Sequence, residues 1–561
     1  MIKRTPRLSC QREPGLSRVL CLITSPVWKS PVNQPTPSFM QSPLSEFPDF
    51  LMKKALLLLM GGCFFSAAAI SSVHAAEKAT PPNIIIILAD DLGWRDLGCF
   101  GSGDVKSPNI DCLAKEGIRF TTAYTTAPQC TPSRAGLLSG ICQSRFGVET
   151  VIGAPFQKFA EEKQWGMPHE IRLFPDYLKP YGYVSACVGK WHLGYSEDHN
   201  PLHHGFDRFV GFLHGGSYFL EAPGGIPILD GTKKVTFDKP AYLTDYLTDQ
   251  AIEFIGANKH RPFFLYLAQF APHVPLQAPQ EYLDRFPDVQ NPNRRAFLAM
   301  MSALDDGVGR IMDFLKANHL DENTLIFFTS DNGGPTGDDP DKGENTSRND
   351  PFTGVKGDLL EGGIRVPCIV RWPGHLPAGT VYDGAVSTLD FLPTSIAAAG
   401  GTPPGQLEGL NILPYLDGRK PPLVDRTLFW RFGIETAVRS GDYKLFRPYP
   451  GVCEFTNIRE NITEDLTKGL ESENPEKFRE MDRALSEWSG RLAVPIWKNF
   501  FPEVALRVLN RHQYKGYEAY LPGETSLEEN KRKWEITKKL YRESLGVDLD
   551  SPALLSKEAS P

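Results

Sequence analysis

The chain has 561 residues, with 60 Lys and Arg against 67 Asp and Glu and a net charge of −7. That length exceeds one minimal domain and suits one large α/β domain with a smaller appendage. The modest acidic balance excludes nucleic acid or an anionic membrane surface as a general partner, since both need a basic face.

The first element in chain order is oddly placed. Met52-Lys53-Lys54 opens a basic segment, Ala55 to Ile70 is apolar or small, and Ser71-Ser72-Val73-His74-Ala75 ends in a small-x-small cleavage site. This reads as a secretory signal peptide, too short and too rich in small residues for an integral membrane span. A signal peptide belongs at the start of a chain. Residues 1–51 therefore read as a mis-assigned upstream extension, 52–75 as the signal, 76–400 as a catalytic domain and 401–561 as a C-terminal α+β subdomain. The expectation is an exported protein, periplasmic or secreted. Gly61-Gly62-Cys63 is a poor lipoprotein box because Met60 suits it badly. Export permits disulfides, but the pairing of Cys99, Cys112, Cys142, Cys187, Cys368 and Cys453 cannot be read from spacing.

Short apolar runs follow, each ending in polar residues. Asn83–Leu88 leads into Asp90-Asp91, Tyr183–Val188 into Lys190 and His192, and Phe263–Leu267 towards His273. Leu325–Phe328 leads into Asp331-Asn332, and Val366–Val370 into Arg371. Such runs suit strands buried on both faces, and helical periodicity lies between them, as over Asn293–Leu315. The alternation predicts an α/β fold with a large mixed, mostly parallel sheet flanked by helices. Ligands bind beyond the carboxyl ends of such strands, so these polar residues are expected to converge on one cleft. From Gly401 onward, Leu428–Ala437 and Tyr443–Phe446 predict a smaller antiparallel sheet. Pro475–Trp488 and Ser526–Leu545 read as charged helices. The aromatic-rich stretch Phe209–Phe219 reads as core ahead of a sugar subsite.

Asp90, Asp91 and Asp331 with the amide of Asn332 form a hard, all-oxygen donor set that suits Ca²⁺ or Mg²⁺. Arg134 lies four residues after Cys130, on the same face of a short helix. Lys190 and His192 sit between glycines in Gly189-Lys190-Trp191-His192-Leu193-Gly194, and His273 lies in Ala271-Pro272-His273-Val274-Pro275.

Cys130-Thr131-Pro132-Ser133-Arg134, continuing Ala135-Gly136-Leu137-Leu138-Ser139-Gly140, resembles the signature of the type I sulfatases of the alkaline phosphatase superfamily. The Asp-Asp, Lys-x-His, Pro-His-x-Pro and Asp-Asn segments follow the family's order. So do Gly354-Val355-Lys356-Gly357 and Glu361-Gly362-Gly363-Ile364-Arg365-Val366-Pro367. The resemblance covers about Pro82 to Gly401 and departs around Asn349–Thr353. It implies that Cys130 is oxidised to formylglycine by a separate maturation enzyme, and that the unmodified chain is inactive. It assigns Asp90, Asp91, Asp331, Asn332 and the modified residue 130 to a divalent cation, calcium ahead of magnesium. Lys190 would pin an oxygen of the hydrated residue 130, Lys356 would bind sulfate oxygens and share the leaving-group role, Arg134 would order the site, His192 would act as base and His273 as acid to the leaving alcohol. The implied activity is hydrolysis of sulfate esters, on a sulfated carbohydrate or an aryl sulfate. The alternatives are a phosphonate or phosphate monoester hydrolase of the same superfamily, or a non-catalytic glycan-binding relative.

Overall fold

All of strand β1, Asn83–Ala89, is buried. Ile85 and Ile87 enter one apolar core, whereas Ile84, Ile86 and Leu88 enter another. Alternate side chains of a strand point to opposite faces, so an unbroken isoleucine run marks a strand covered on both sides. The structure, a computed structural model, describes residues 80–496 apart from 153–164, 215, 222–225, 240, 336–345, 434, 449–452 and 466–468. The expected upstream extension, signal peptide and helix over Ser526–Leu545 lie outside the described residues.

In chain order the next strands are β2 (Ile118–Phe120), β3 (Ala123–Tyr124), β4 (Val184–Lys190), β5 (Arg208–Phe212), β6 (Leu229–Asp230), β7 (Lys233–Lys234), β8 (Phe263–Ala268) and β9 (Thr324–Ser330). They are followed by β10 (Cys368–Arg371), β11 (Thr380–Tyr382), β12 (Val386–Ser387), β13 (Thr427–Phe432), β14 (Glu435–Ser440), β15 (Tyr443–Arg447) and β16 (Glu454–Asn457). The large sheet runs β11-β2-β10-β9-β1-β8-β4-β5-β6-β7. Its central strands β9, β1, β8, β4 and β5 are mutually parallel. Helices Leu243–Asn258 and Pro292–Ala317 cover one face, and helices Cys130–Ser139 and Phe391–Ala398 the other.

One strand corrects the expected convergence. β10 runs antiparallel to β9, with Arg371 opposite Ile326 near the start of that strand. Arg371 therefore emerges at the end of the sheet opposite the cleft, where it pairs with Glu116 at 2.7 Å and Asp321 at 2.9 Å.

β13 to β16 form the separate antiparallel sheet. Its residues Trp430, Phe432, Ala437 and Phe446 share an apolar cluster with Tyr124, Leu359, Leu360 and Ile364. Helix Pro475–Ser489 packs its Met481, Leu485 and Trp488 with Val438, Leu445 and Phe455 of the sheet. Phe209, Phe212 and Tyr218 are core residues. The seven cysteines among the described residues are all free thiols, and no helix there is long and apolar enough to cross a membrane.

Candidate active site

Four neighbouring parallel strands deliver the polar residues to one end of the sheet. Asp90 and Asp91 follow β1, Asp331 and Asn332 follow β9, His273 follows β8, and Lys190 ends β4 with His192 just beyond. Asn332 Nδ2 donates to Asp91 Oδ1 at 2.7 Å although the two residues are 241 apart in sequence. Asp91 and His192 adopt φ of +67° and +59°, a region that costs most non-glycine residues free energy and that clusters at functional sites.

Cys130 begins the helix Cys130–Ser139, all of whose residues are buried. Pro132 sits in its first turn, where no intrahelical N–H is needed, and Gly140 ends it at φ +67° with its N–H on Gly136 O. This helix packs so closely that a Cβ on Gly136 would lie 2.3 Å from Thr126 Oγ1. Thr131 Oγ1 donates to His192 O at 2.9 Å, which ties the helix start to the Lys-x-His segment.

Around Cys130 the charges interlock. Its Sγ donates to Asp90 Oδ1 at 3.4 Å. Lys190 Nζ donates to Asp90 Oδ2, and Lys356 Nζ lies 2.7 Å from Asp91 Oδ1. Arg134 donates from Nε and Nη2 to Asp331 Oδ2 at 2.9 and 2.6 Å, and from Nη1 to Lys190 O at 3.0 Å. Arg134 thus orders the carboxylates and the end of β4. His273 Nδ1 lies 2.6 Å from Val274 O, while Nε2 faces Asp91 Oδ2 at 3.5 Å.

Protonation follows from burial and these neighbours. Burial pushes the Cys130 thiol up, more than Lys190 and Lys356 draw it down, so it stays a thiol at neutral pH. Against burial, Lys190, His273 and Arg134 hold Asp90 well below the carboxylate range. Burial and then Asp90 push Asp331 up to about 6. Burial lowers His192, assisted by Lys190 and Arg134, and it takes His273 down to about 4 against Asp91 and Asp90. Lys356 moves up despite burial, because Asp91 holds its charge.

The residues fit a hard divalent cation. Asp90, Asp91, Cys130 and His273 each offer an atom within 4.8 Å of the others. Asn332 Oδ1 is buried without a hydrogen-bond partner, although its amide nitrogen donates to Asp91 and to Gly333 O. A buried carbonyl oxygen beside carboxylates is a calcium-type donor. With Nδ1 donating to a carbonyl, neutral His273 turns a lone pair on Nε2 towards a carboxylate, an arrangement that positive charge between them relieves. Asp331 is held chiefly by Arg134 and by the Asp91 N–H, 3.2 Å from its Oδ1.

Sequence reasoning missed several positioning residues. Tyr218 donates its hydroxyl to Phe270 O and His273 O, both at 2.8 Å. Asn349 clamps Gly334 in both directions, at 2.8 and 2.9 Å, and donates to Gly354 O at 3.2 Å. Ser330 Oγ accepts from Leu92 N and donates to Asn332 O. These residues have no motif of their own. Only the departure of Asn349–Thr353 from the family pattern marked its place.

Fold and site together define a hydrolase of the doubly wound type, with a buried residue 130 at the focus of carboxylates, lysines and histidines beyond parallel strands. The chain belongs to the sulfatase family: the model of that family matches residues 82–401. It is a type I sulfatase of the alkaline phosphatase superfamily, an enzyme that hydrolyses sulfuric esters. A model described as N-sulphoglucosamine sulphohydrolase, C-terminal, also matches residues 356–454. The chain is 37% identical to human N-acetylgalactosamine-6-sulfatase over 364 residues, which is 62% of this chain and 67% of the relative. It is 34% identical to mouse arylsulfatase J, over 66% of this chain and 64% of the relative. The crystal structure of Ps i-CgsB superposes with a TM-score of 0.68 at 32% identity, covering 79% of this chain and 100% of that one.

Proposed function

We propose that this chain is an exported sulfatase that removes sulfate from a sulfated carbohydrate, with residue 130 as nucleophile once its cysteine has become formylglycine. The observation that carries the reading is the buried Cys130 thiol, which donates to Asp90 beside Lys190 and Lys356, the lysines paired with Asp90 and Asp91. A thiol held protonated is a poor nucleophile. The Sγ position stands in for an oxygen of the hydrated aldehyde, which offers two hydroxyls on one carbon, one to attack sulfur and the other to expel sulfate. Asp90, Asp91, Asp331 and Asn332 Oδ1 would hold a divalent cation, which supplies charge that favours an ionised oxygen at neutral pH.

The chain's own residues then divide the work. Lys190 and Lys356 bind sulfate oxygens and offset the charge that develops there. His192, kept neutral by burial, takes a proton from residue 130. Lys356 carries a proton at neutral pH and stands beside the same Asp91 carboxylate as His273. It therefore gives the proton that the departing alkoxide oxygen takes up as its bond to sulfur breaks, with His273 as relay through Nε2. Arg134 keeps Asp331 and the end of β4 in register. The sugar assignment rests on likeness: one relative is named for N-acetylgalactosamine 6-sulfate, and Ps i-CgsB has been solved with k-i-k-neocarrahexaose. Export rests on the segment 52–75.

The test uses full-length chain coexpressed with a formylglycine-generating enzyme. Sulfate release from sulfated oligosaccharides and an aryl sulfate is compared with hydrolysis of an aryl phosphate and an aryl phosphonate. Faster turnover of sulfate esters is expected. A preference for phosphonate would assign the alternative chemistry, and no turnover with binding of sulfated glycans would assign a binding protein.

A further inference from the structure

Away from the Asp90 cluster, His169, His199 and His204 bring ring nitrogens within 4.8 Å of one another. His204 is 4% exposed, and its Nε2 is buried with no hydrogen-bond partner. His169 is exposed and lies 5.0 Å from the His199 ring and 4.9 Å from the His204 ring. A surface cavity lined by His169, Arg172, Asp176, Lys179, His203 and His204 opens the His169 and His204 side of the cluster to solvent. The position of His199 is tightly set. A Cβ on Gly166 would lie 2.3 Å from its Cγ, and one on Gly194 2.2 Å from its Cβ.

We propose that His169, His199 and His204 form a metal site for a divalent transition ion of the zinc class, packed against Trp191 of the Lys190–His192 segment. Imidazole nitrogen is a borderline donor that suits zinc and its neighbours rather than calcium, and three histidines leave a fourth position to water. Burial, with His169 and His199 nearby, pushes His204 down to about 3, so the ring stays in the neutral form that binds metals. The rings are within 10° of parallel. Exposed His169 is the ring that turns to close the site. Trp191 Nε1 donates to His199 O at 2.7 Å, and its ring lies 5.6 Å from that of His204. The ion therefore fastens the loop that carries Lys190 and His192 without touching either.

The proposal is independent of the reaction at residue 130, and so is its test. Chelator-stripped full chain is saturated with calcium and dialysed against low micromolar zinc chloride, and bound zinc is counted by plasma mass spectrometry. One zinc per chain and a rise in Tm of several degrees are expected for the unaltered protein. His169→Gln should lose both while keeping the zinc-free Tm and the circular dichroism of the parent. His204→Asn should also lose the zinc, but His169→Gln decides the matter if that core variant does not fold. Zinc retained at full stoichiometry in His169→Gln, or no zinc bound by the parent, overturns the proposal.

Discussion

Lys444 of β15 places Nζ 3.0 Å from Glu361 Oε1 and 2.9 Å from Glu464 Oε1, and all three residues are buried. Glu361 also accepts from Tyr124 OH at 2.6 Å and pairs with Arg365 at 3.2 Å. The small sheet thus reaches under the segment that follows Lys356 and neutralises the carboxylate there. Lys444→Met takes from two buried carboxylates the lysine they share, leaving Glu361 to Arg365, and breaking a buried pair costs about 3–5 kcal/mol. Urea denaturation should show that loss.

The same cluster predicts an acid limb. Against burial, Lys444 and Arg365 hold Glu361 down to about 2, below its ordinary 4.5. A carboxyl depressed on folding contributes stability above pH 4.5 that is lost as pH falls from 4.5 towards 2. The difference in denaturation midpoint between the parent and Glu361→Gln should therefore shrink over that window. A difference that stays constant there would mean that the ion pair does not set the acid limb.

Cys130→Ser tests the nucleophile. A serine offers one oxygen on its carbon, so it has no second hydroxyl with which to expel sulfate. Multiple turnover should fall by roughly a thousandfold or more, the order expected when a covalent nucleophile is lost, with any sulfated protein visible by intact mass. In the parent, the mass of the tryptic peptide holding residue 130 should report the aldehyde only after coexpression with the maturation enzyme.

Tyr218→Phe keeps the ring packed 5.0 Å from Phe270 and removes the hydroxyl that Phe270 O and His273 O share. Loss of a buried hydrogen bond costs about 1 kcal/mol. Because His273 is placed by that bond, kcat should drop roughly fivefold to tenfold with KM little changed, and an altered pH profile should accompany it.

The proposed cation would sit among the carboxylates of Asp90, Asp91 and Asp331, so removing it would leave like charges facing one another. EGTA should lower both Tm and activity, and added calcium should restore both. Gly333→Ala should weaken retention of the proposed cation, since its Cβ would lie 1.8 Å from Gly362 O and the Asp331–Asn332 turn would have to shift.

Sequence by itself marked the five buried strands β1, β4, β8, β9 and β10 and the polar residues that follow them. The isoleucine, phenylalanine and leucine runs are buried on both faces because only central parallel strands tolerate unbroken apolar sequence. The polar residues that follow four of them lie at one end because those strands are parallel. Only the tertiary structure decided the rest. Arg371 looked like its neighbours in sequence, yet antiparallel pairing of β10 sends it to the far end, since strand direction is set by pairing and not by local pattern. Tyr218 and Lys444 act through backbone carbonyls or carboxylates more than 50 residues along the chain, and Asn349 ties together a loop with no periodic pattern. The histidine trio is likewise silent in sequence. His169 lies on one side of β4 in the chain and His199 and His204 on the other, and folding alone brings their rings together.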